Sequence, residues 1–180
     1  MTIISLLCIS ASVYPLPSPP SPKNSPVTEV AGLVKKLVMA DSGQSEGILS
    51  EMNTIRNRHP ENTDILLMYI NSLLTQKHYD EGIELLDVLY SKKPARSFLL
   101  TRCMLLQRTG ARKASCYEEV VKISEQQNLI DSDYITALFF TDIRKFSAVK
   151  QKLIKENTFK ESDFLMFMLG EETMLHEFFP

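Results

Sequence analysis

Two prolines, Pro60 and Pro94, stand 34 positions apart, and each closes a stretch whose apolar residues recur at helical spacing. Placed in register, QSEGILSEMNTIRNRHP (44–60) lies over HYDEGIELLDVLYSKKP (78–94). Ile48 then falls on Gly82, Leu49 on Ile83, Met52 on Leu86 and Ile55 on Leu89. The period is therefore carried by an apolar stripe as well as by a helix breaker. Proline stops a helix because it has no amide hydrogen and crowds the preceding turn. A stripe that recurs every thirty-odd residues predicts stacked supersecondary units, since one unit cannot bury its own apolar face.

Each of these helices has a partner upstream. DILLMYINSLLTQK (64–77) places Leu66, Tyr69, Ile70 and Leu73 on one face, and the short turn that follows makes an antiparallel pair with 78–94. TEVAGLVKKLVMAD (28–41), with Val30, Leu33, Val34, Leu37 and Val38 as its stripe, precedes the earlier copy. RSFLLTRCMLLQRTG (96–110) and KASCYEEVVKISEQ (113–126) form a third copy, with an extra residue at its turn near Gly110 and Ala111. Cys116, Val120 and Ile123 face inward there. Two further segments extend the stack. DSDYITALFF (131–140) starts on an acidic cap, Asp131 or Ser132, and RKFSAVKQKLIKEN (144–157) carries Phe146, Val149, Leu153 and Ile154 as its stripe. The last segment, 161–179, reads as a capping helix over the final pair. Its alternative is a sticky element for a partner or a second copy. The predicted fold is all-α: an array of about three hairpins plus C-terminal helices over residues 27–180.

Residues 63–94 resemble a tetratricopeptide repeat, a 34-residue helix–turn–helix, and the resemblance extends over roughly 28–127. Gly82 sits where that family prefers a small residue, Leu86 where it prefers an aromatic, Leu89 where alanine is usual, and Pro94 at its terminal proline. Leu66 stands at the usual tryptophan and Ile70 at the usual small residue. The resemblance implies that the first helix of each pair lines a concave surface. The groove-facing positions are then Leu67, Asn71, Leu74 and Thr75 in the second pair and Leu100, Met104, Gln107 and Arg108 in the third. Apolar side chains on such a face suit an amphipathic helix or an extended peptide, with Asn71 and Gln107 able to bond a peptide backbone. For Leu67 and Leu100, core and groove readings stand level. Members that clamp a terminal carboxylate carry lysines on this face. Asp64 and Thr75 occupy two of those positions and argue against that mode.

The same register puts Cys103 and Cys116 at the small-residue positions where paired helices come closest. Two buried, reduced thiols are the expectation for a cytoplasmic chain. An exported chain allows a disulfide that pins the third hairpin. With Cys8 the cysteine count is three, which completes no framework. The first 26 residues differ in composition. IISLLCISASV (3–13) is apolar but too short to span a bilayer, and no basic residue precedes it. PLPSPPSPKNSP (15–26) favours an extended, polyproline-like tail. A disordered tail, with an artefact of start-site choice as one origin for it, is the reading preferred over a signal-like remnant in residues 1–13. Localisation is accordingly expected to be cytoplasmic, and periplasmic or envelope-anchored if 1–13 is a signal.

Net charge is −2 without a basic excess, which argues against nucleic acid. Six glycines include no phosphate-cradling loop. His59, His78 and His176 have no metal-ligand spacing. Neither a metal nor a cofactor is expected. Asp80, Glu81 and Glu84, with Lys92 and Lys93 at the other end of the helix, complement its dipole. No acid–base pair has an evident pocket, so an enzyme on a helical scaffold ranks last. The expected function is non-catalytic protein binding by a small chaperone or adaptor, with a homodimer open. CMLLQRTGARKASCYEEVVKI (103–123) is similar to small repeat proteins of bacterial type III secretion. That resemblance implies a virulence-associated chaperone that holds a secretion subunit in its groove. The rival expectation is an exported envelope protein, either a pilus or secretion-assembly lipoprotein or a periplasmic immunity protein.

Overall fold

The computed structural model describes residues 25–180. They form nine α-helices and one 3-10 segment, with no strand among the described residues. In order these are α1 (Pro26–Met39), α2 (Ser42–Arg58), α3 (Thr63–Thr75), α4 (Tyr79–Lys92), α5 (Arg96–Arg108), α6 (Ala114–Gln126), α7 (Ser132–Thr141), α8 (Ile143–Lys155), the 3-10 segment (Glu161–Leu169) and α9 (Glu171–Phe178). The fold is the all-α array expected. The Pro/Ser-rich stretch before Ser25, and Cys8 within it, lie outside the described residues.

Local chemistry sets the boundaries. The Ser25 side chain accepts from the Thr28 amide ahead of Pro26, which occupies the first turn. Asp41, Asn62, Asp131 and Asp142 cap α2, α3, α7 and α8 in the same way. α2 and α4 end two residues before Pro60 and Pro94, because the residue before proline is driven out of the helical region. His59 and Lys93 both sit there in non-helical conformations. α2, α4 and α6 end at Arg58, Lys92 and Gln126, so the 34-residue interval recurs. The longer turn of the third hairpin runs from Thr109 to Lys113 and holds Gly110 at φ +84°.

Consecutive helices pack side by side from α1 to α8, and α1 also packs on α3 and α5 on α7. Three apolar clusters result. One lies between α1, α2 and α3, around Val30, Met52 and Ile65. A second joins α3, α4 and α5 through Leu66, Ile70, Leu86, Leu89 and Leu105. The third and largest spans α5 to α9 and includes a run of phenylalanines. Burying such stripes at about 25 cal/mol per Å² supplies the main driving force for the array.

Two expectations are corrected. Val38 is not part of the buried stripe of α1 and is 77% exposed. Residues 161–179 are not one helix. Gly170 at φ +81° interrupts them, a conformation that glycine alone adopts without strain. Upstream of it, residues three apart eclipse in a 3-10 segment. Phe164 and Phe167 therefore both meet Phe146, while Leu165 and Met168 are left exposed.

Candidate functional site: the face of the leading helices

α1, α3 and α5 are the leading helices of the three hairpins; the C-terminal halves of α1 and α3 face each other across an opening. Between α1 and α3 lies an open depression of about 380 Å³. Val34, Leu37, Val38 and Met68 give it an apolar floor and wall, and Asn71, Ser72, Thr75 and Gln76 a polar edge. Asn71 and Thr75 are exposed. Asn71 offers an amide donor and an acceptor, the pair of functions that a peptide backbone presents.

The expected groove residues divide into four groups. Asn71, with Thr75, borders the open depression. Leu67 and Leu74 are half-buried against the cluster of α3, α4 and α5. A Cβ on Gly82 would collide with the Leu74 side chain, so the small residue at 82 lets α4 close on α3 there. Leu100 and Met104 are each 6% exposed and belong to the largest core cluster, so they line no groove. The reason is topological: α6, α7 and α9 all pack on α5, and these two residues join the core they share.

Gln107 and Arg108, on the last turn of α5, are already engaged. The Gln107 Nε2 donates to Glu171 at 3.0 Å. The Arg108 Nε donates to the Phe179 carbonyl at 2.8 Å, and its guanidinium lies 5.9 Å from the centre of the Tyr79 ring. The Tyr79 hydroxyl donates to the Pro180 carbonyl at 2.5 Å, and its ring meets Phe179 edge-on with centroids 6.2 Å apart. Phe179 packs against both the α3–α5 cluster and the largest one. α9 and the two residues after it thus form a strap across the end of α5 and the start of α4.

Sequence reasoning missed Val34, Leu37, Val38, Met68 and Gln76 on this face. The α1 residues look like core because their helical stripe continues unbroken to the end of the helix. It also missed Tyr79 and the strap, which only tertiary folding brings together. Cys103 and Cys116 are joined as a disulfide between α5 and α6, Cα atoms 5.7 Å apart. The reduced thiols preferred from the sequence are not what the structure contains. The Arg102 guanidinium approaches the Cys116 sulfur at 3.9 Å. Among the described residues no His, Cys, Asp and Glu group could hold a metal, and no helix is long and apolar enough to cross a membrane. No family model, curated protein or solved structure matches the chain.

Proposed function

We propose that the protein is a non-catalytic binding module, a small chaperone or adaptor of tetratricopeptide-repeat type. It holds a helix or extended peptide of a partner protein across the C-terminal halves of its leading helices. The observation that carries this reading is the depression between α1 and α3, where exposed apolar Val38 faces the hydrogen-bonding edge of Asn71, Thr75 and Gln76. An apolar floor with a few polar groups at its edge is how helix-in-groove recognition is built. The likeness of residues 103–123 to type III secretion proteins supports a secretion-apparatus subunit as the occupant.

The test begins with affinity capture from the native host, read by mass spectrometry. Binding of the captured partner is then measured for Val38→Asp and Asn71→Asp. Both residues are exposed, so their substitution leaves the fold within about 0.5 kcal/mol. At Val38 the new carboxylate meets an apolar contact, and at Asn71 it removes the amide donor of the polar edge; either costs on the order of 1–3 kcal/mol, so affinity should fall about fivefold or more. Undiminished capture by both variants would reject the site.

A second reading is favoured by one observation, the Cys103–Cys116 disulfide. Disulfides persist in oxidising compartments, and this supports the same binding role in an exported envelope protein.

A further inference from the structure

We propose that the chain pairs with a second copy of itself through the 3-10 segment, Glu161–Leu169, with Leu165, Met166, Met168 and Leu169 at the centre of the contact. The inference stands apart from the α1–α3 depression and does not depend on it.

A 3-10 helix has three residues per turn, so its side chains fall in three rows. One row, Phe164 and Phe167, packs on Phe146 and joins the largest core cluster. The second row is Leu165 and Met168, and the third is Met166 and Leu169. In chain order these four are 58%, 37%, 75% and 46% exposed. Two of the three rows are therefore apolar and open to solvent, and no charge interrupts the run from Phe164 to Leu169. The segment is anchored on both sides. Phe164 is 2% exposed, and beyond Gly170 the chain enters α9, whose Met174 and Leu175 are buried in the same cluster. α8 is the last long helix of the array, and a repeat array needs its end covered. The segment covers Phe146 and in doing so presents an apolar face of its own.

Single exposed apolar residues are ordinary, but four on one ridge are not. Together they present roughly 400 Å² of apolar surface, within the range of patches that mark contacts. A stable dimer buries about 800 Å² on each partner, with an apolar centre inside a polar rim. The ridge is large enough to be that centre, and exposed Ser162 and Glu172 border it as rim.

The charges around the ridge favour a second copy over an anionic lipid surface. Glu161 and Asp163 precede it, and Glu171 and Glu172 follow it. Carboxylates in those places repel anionic headgroups. Toward another copy they are largely quenched. Glu161 pairs with Lys150 at 2.7 Å and Glu171 with Arg112 at 3.0 Å, while Asp163 accepts from the Lys160 amide at 2.8 Å. An uncharged apolar ridge is complementary to itself, and a two-fold contact sets the same patch against its own copy.

The test is sedimentation of the full chain over a concentration series, with free thiol alkylated so that Cys8 cannot cross-link copies. The average mass should rise from 20.5 kDa toward twice that value, with a midpoint on the order of micromolar. Leu165→Glu with Met168→Glu should weaken pairing about thirtyfold or more and leave helicity unchanged, since both residues are exposed. A second measurement needs no variant. Dilute hydrogen peroxide, read by mass spectrometry, should oxidise Met168 about threefold or more slowly in concentrated than in dilute protein. Met39, 87% exposed and far from the ridge in sequence, should react equally in both. A monomer at every concentration would overturn the proposal, as would a dimer that survives the double substitution or no protection of Met168. Retention on phosphatidylserine-containing vesicles that the double substitution abolishes would overturn it in favour of a membrane. Val38→Asp should leave the mass curve unchanged, so failure of the α1–α3 depression and failure of the ridge are separately visible.

Discussion

Reduction of the Cys103–Cys116 bond is the perturbation whose size follows most directly from the structure. The two cysteines are 13 positions apart, linking α5 to α6. Closing a loop of that size removes about 3 kcal/mol of entropy from the unfolded chain on the loop-closure treatment. In the folded state the cost of reduction is small. Both side chains are almost fully buried, and a thiol is a compact apolar filler. The α5–α6 hairpin also keeps Tyr117 and Val120 in the core without the bond. A domain of this size commands about 5–15 kcal/mol, so the reduced chain should remain folded. The expected result is a loss of about 3 kcal/mol in urea titrations with and without reductant. In thermal unfolding the midpoint should fall by about 6–12 °C. Cys103→Ala with Cys116→Ala should behave like the reduced chain and ignore reductant. A thiol count on unfolded, unreduced protein supplies the complementary reading. One free thiol, that of Cys8, belongs to the bonded chain, and three to the reduced one. A reductant effect below about 1 kcal/mol, or three free thiols in chain alkylated at isolation, would refute the reasoning.

Two further perturbations test the stitching around the site. Arg96, its side chain 11% exposed, donates to Asp131 and to Ser124, and so ties the start of α5 to the end of α6 and the cap of α7. The guanidinium holds the Asp131 carboxyl below the usual range. The stability of this pair is therefore complete above the unfolded carboxyl value of about 4 and is lost as pH falls through the lower folded value. Asp133 works in the opposite sense, since burial and the Asp131 charge raise it. Asp131→Asn keeps a good cap but loses the charge pair. It should cost about 1–2 kcal/mol at neutral pH and converge with the native chain below pH about 3, read by urea unfolding across pH; a constant offset would argue against the pair. The Tyr117 side chain is fully buried, its ring stacked on Phe140, and its hydroxyl has no partner. Tyr117→Phe should therefore raise stability by about 1 kcal/mol, or about 2–4 °C in midpoint, and a loss would mean that the hydroxyl is bonded.

What could be read from the sequence follows from the range of the interactions involved. The α3–α4 hairpin was legible because its stripe, Leu66, Tyr69, Ile70 and Leu73 against Leu86 and Leu89, repeats locally, and because proline marks its end. Caps such as Asp131 lie within three residues of the amides they serve. Leu100 and Met104 were misplaced for a different reason. Their exposure depends on whether α7 and α9 pack on α5, a decision made by residues in later helices of the array. Val38 shows the converse: periodicity extends a stripe to the helix end whether or not a neighbour reaches it. The strap was beyond local reading altogether. Tyr79 and Pro180 are 101 positions apart, and no pattern around either announces the other.

α5 is where the two unusual ties meet. Cys103 binds it to α6, and Gln107 and Arg108 bind it to the strap. An array held only by neighbour contacts has energetics that run along one dimension, and its ends fray independently. The strap changes that by joining the start of α4 and the end of α5 to residues 179 and 180, against the cluster that α3, α4 and α5 share. Phe179 is therefore a filler of the fold as well as its last tie: losing its ring would open the Tyr79 contact and the edges of both clusters to water, so the C-terminal residues add stability that nearest-neighbour packing alone would not supply.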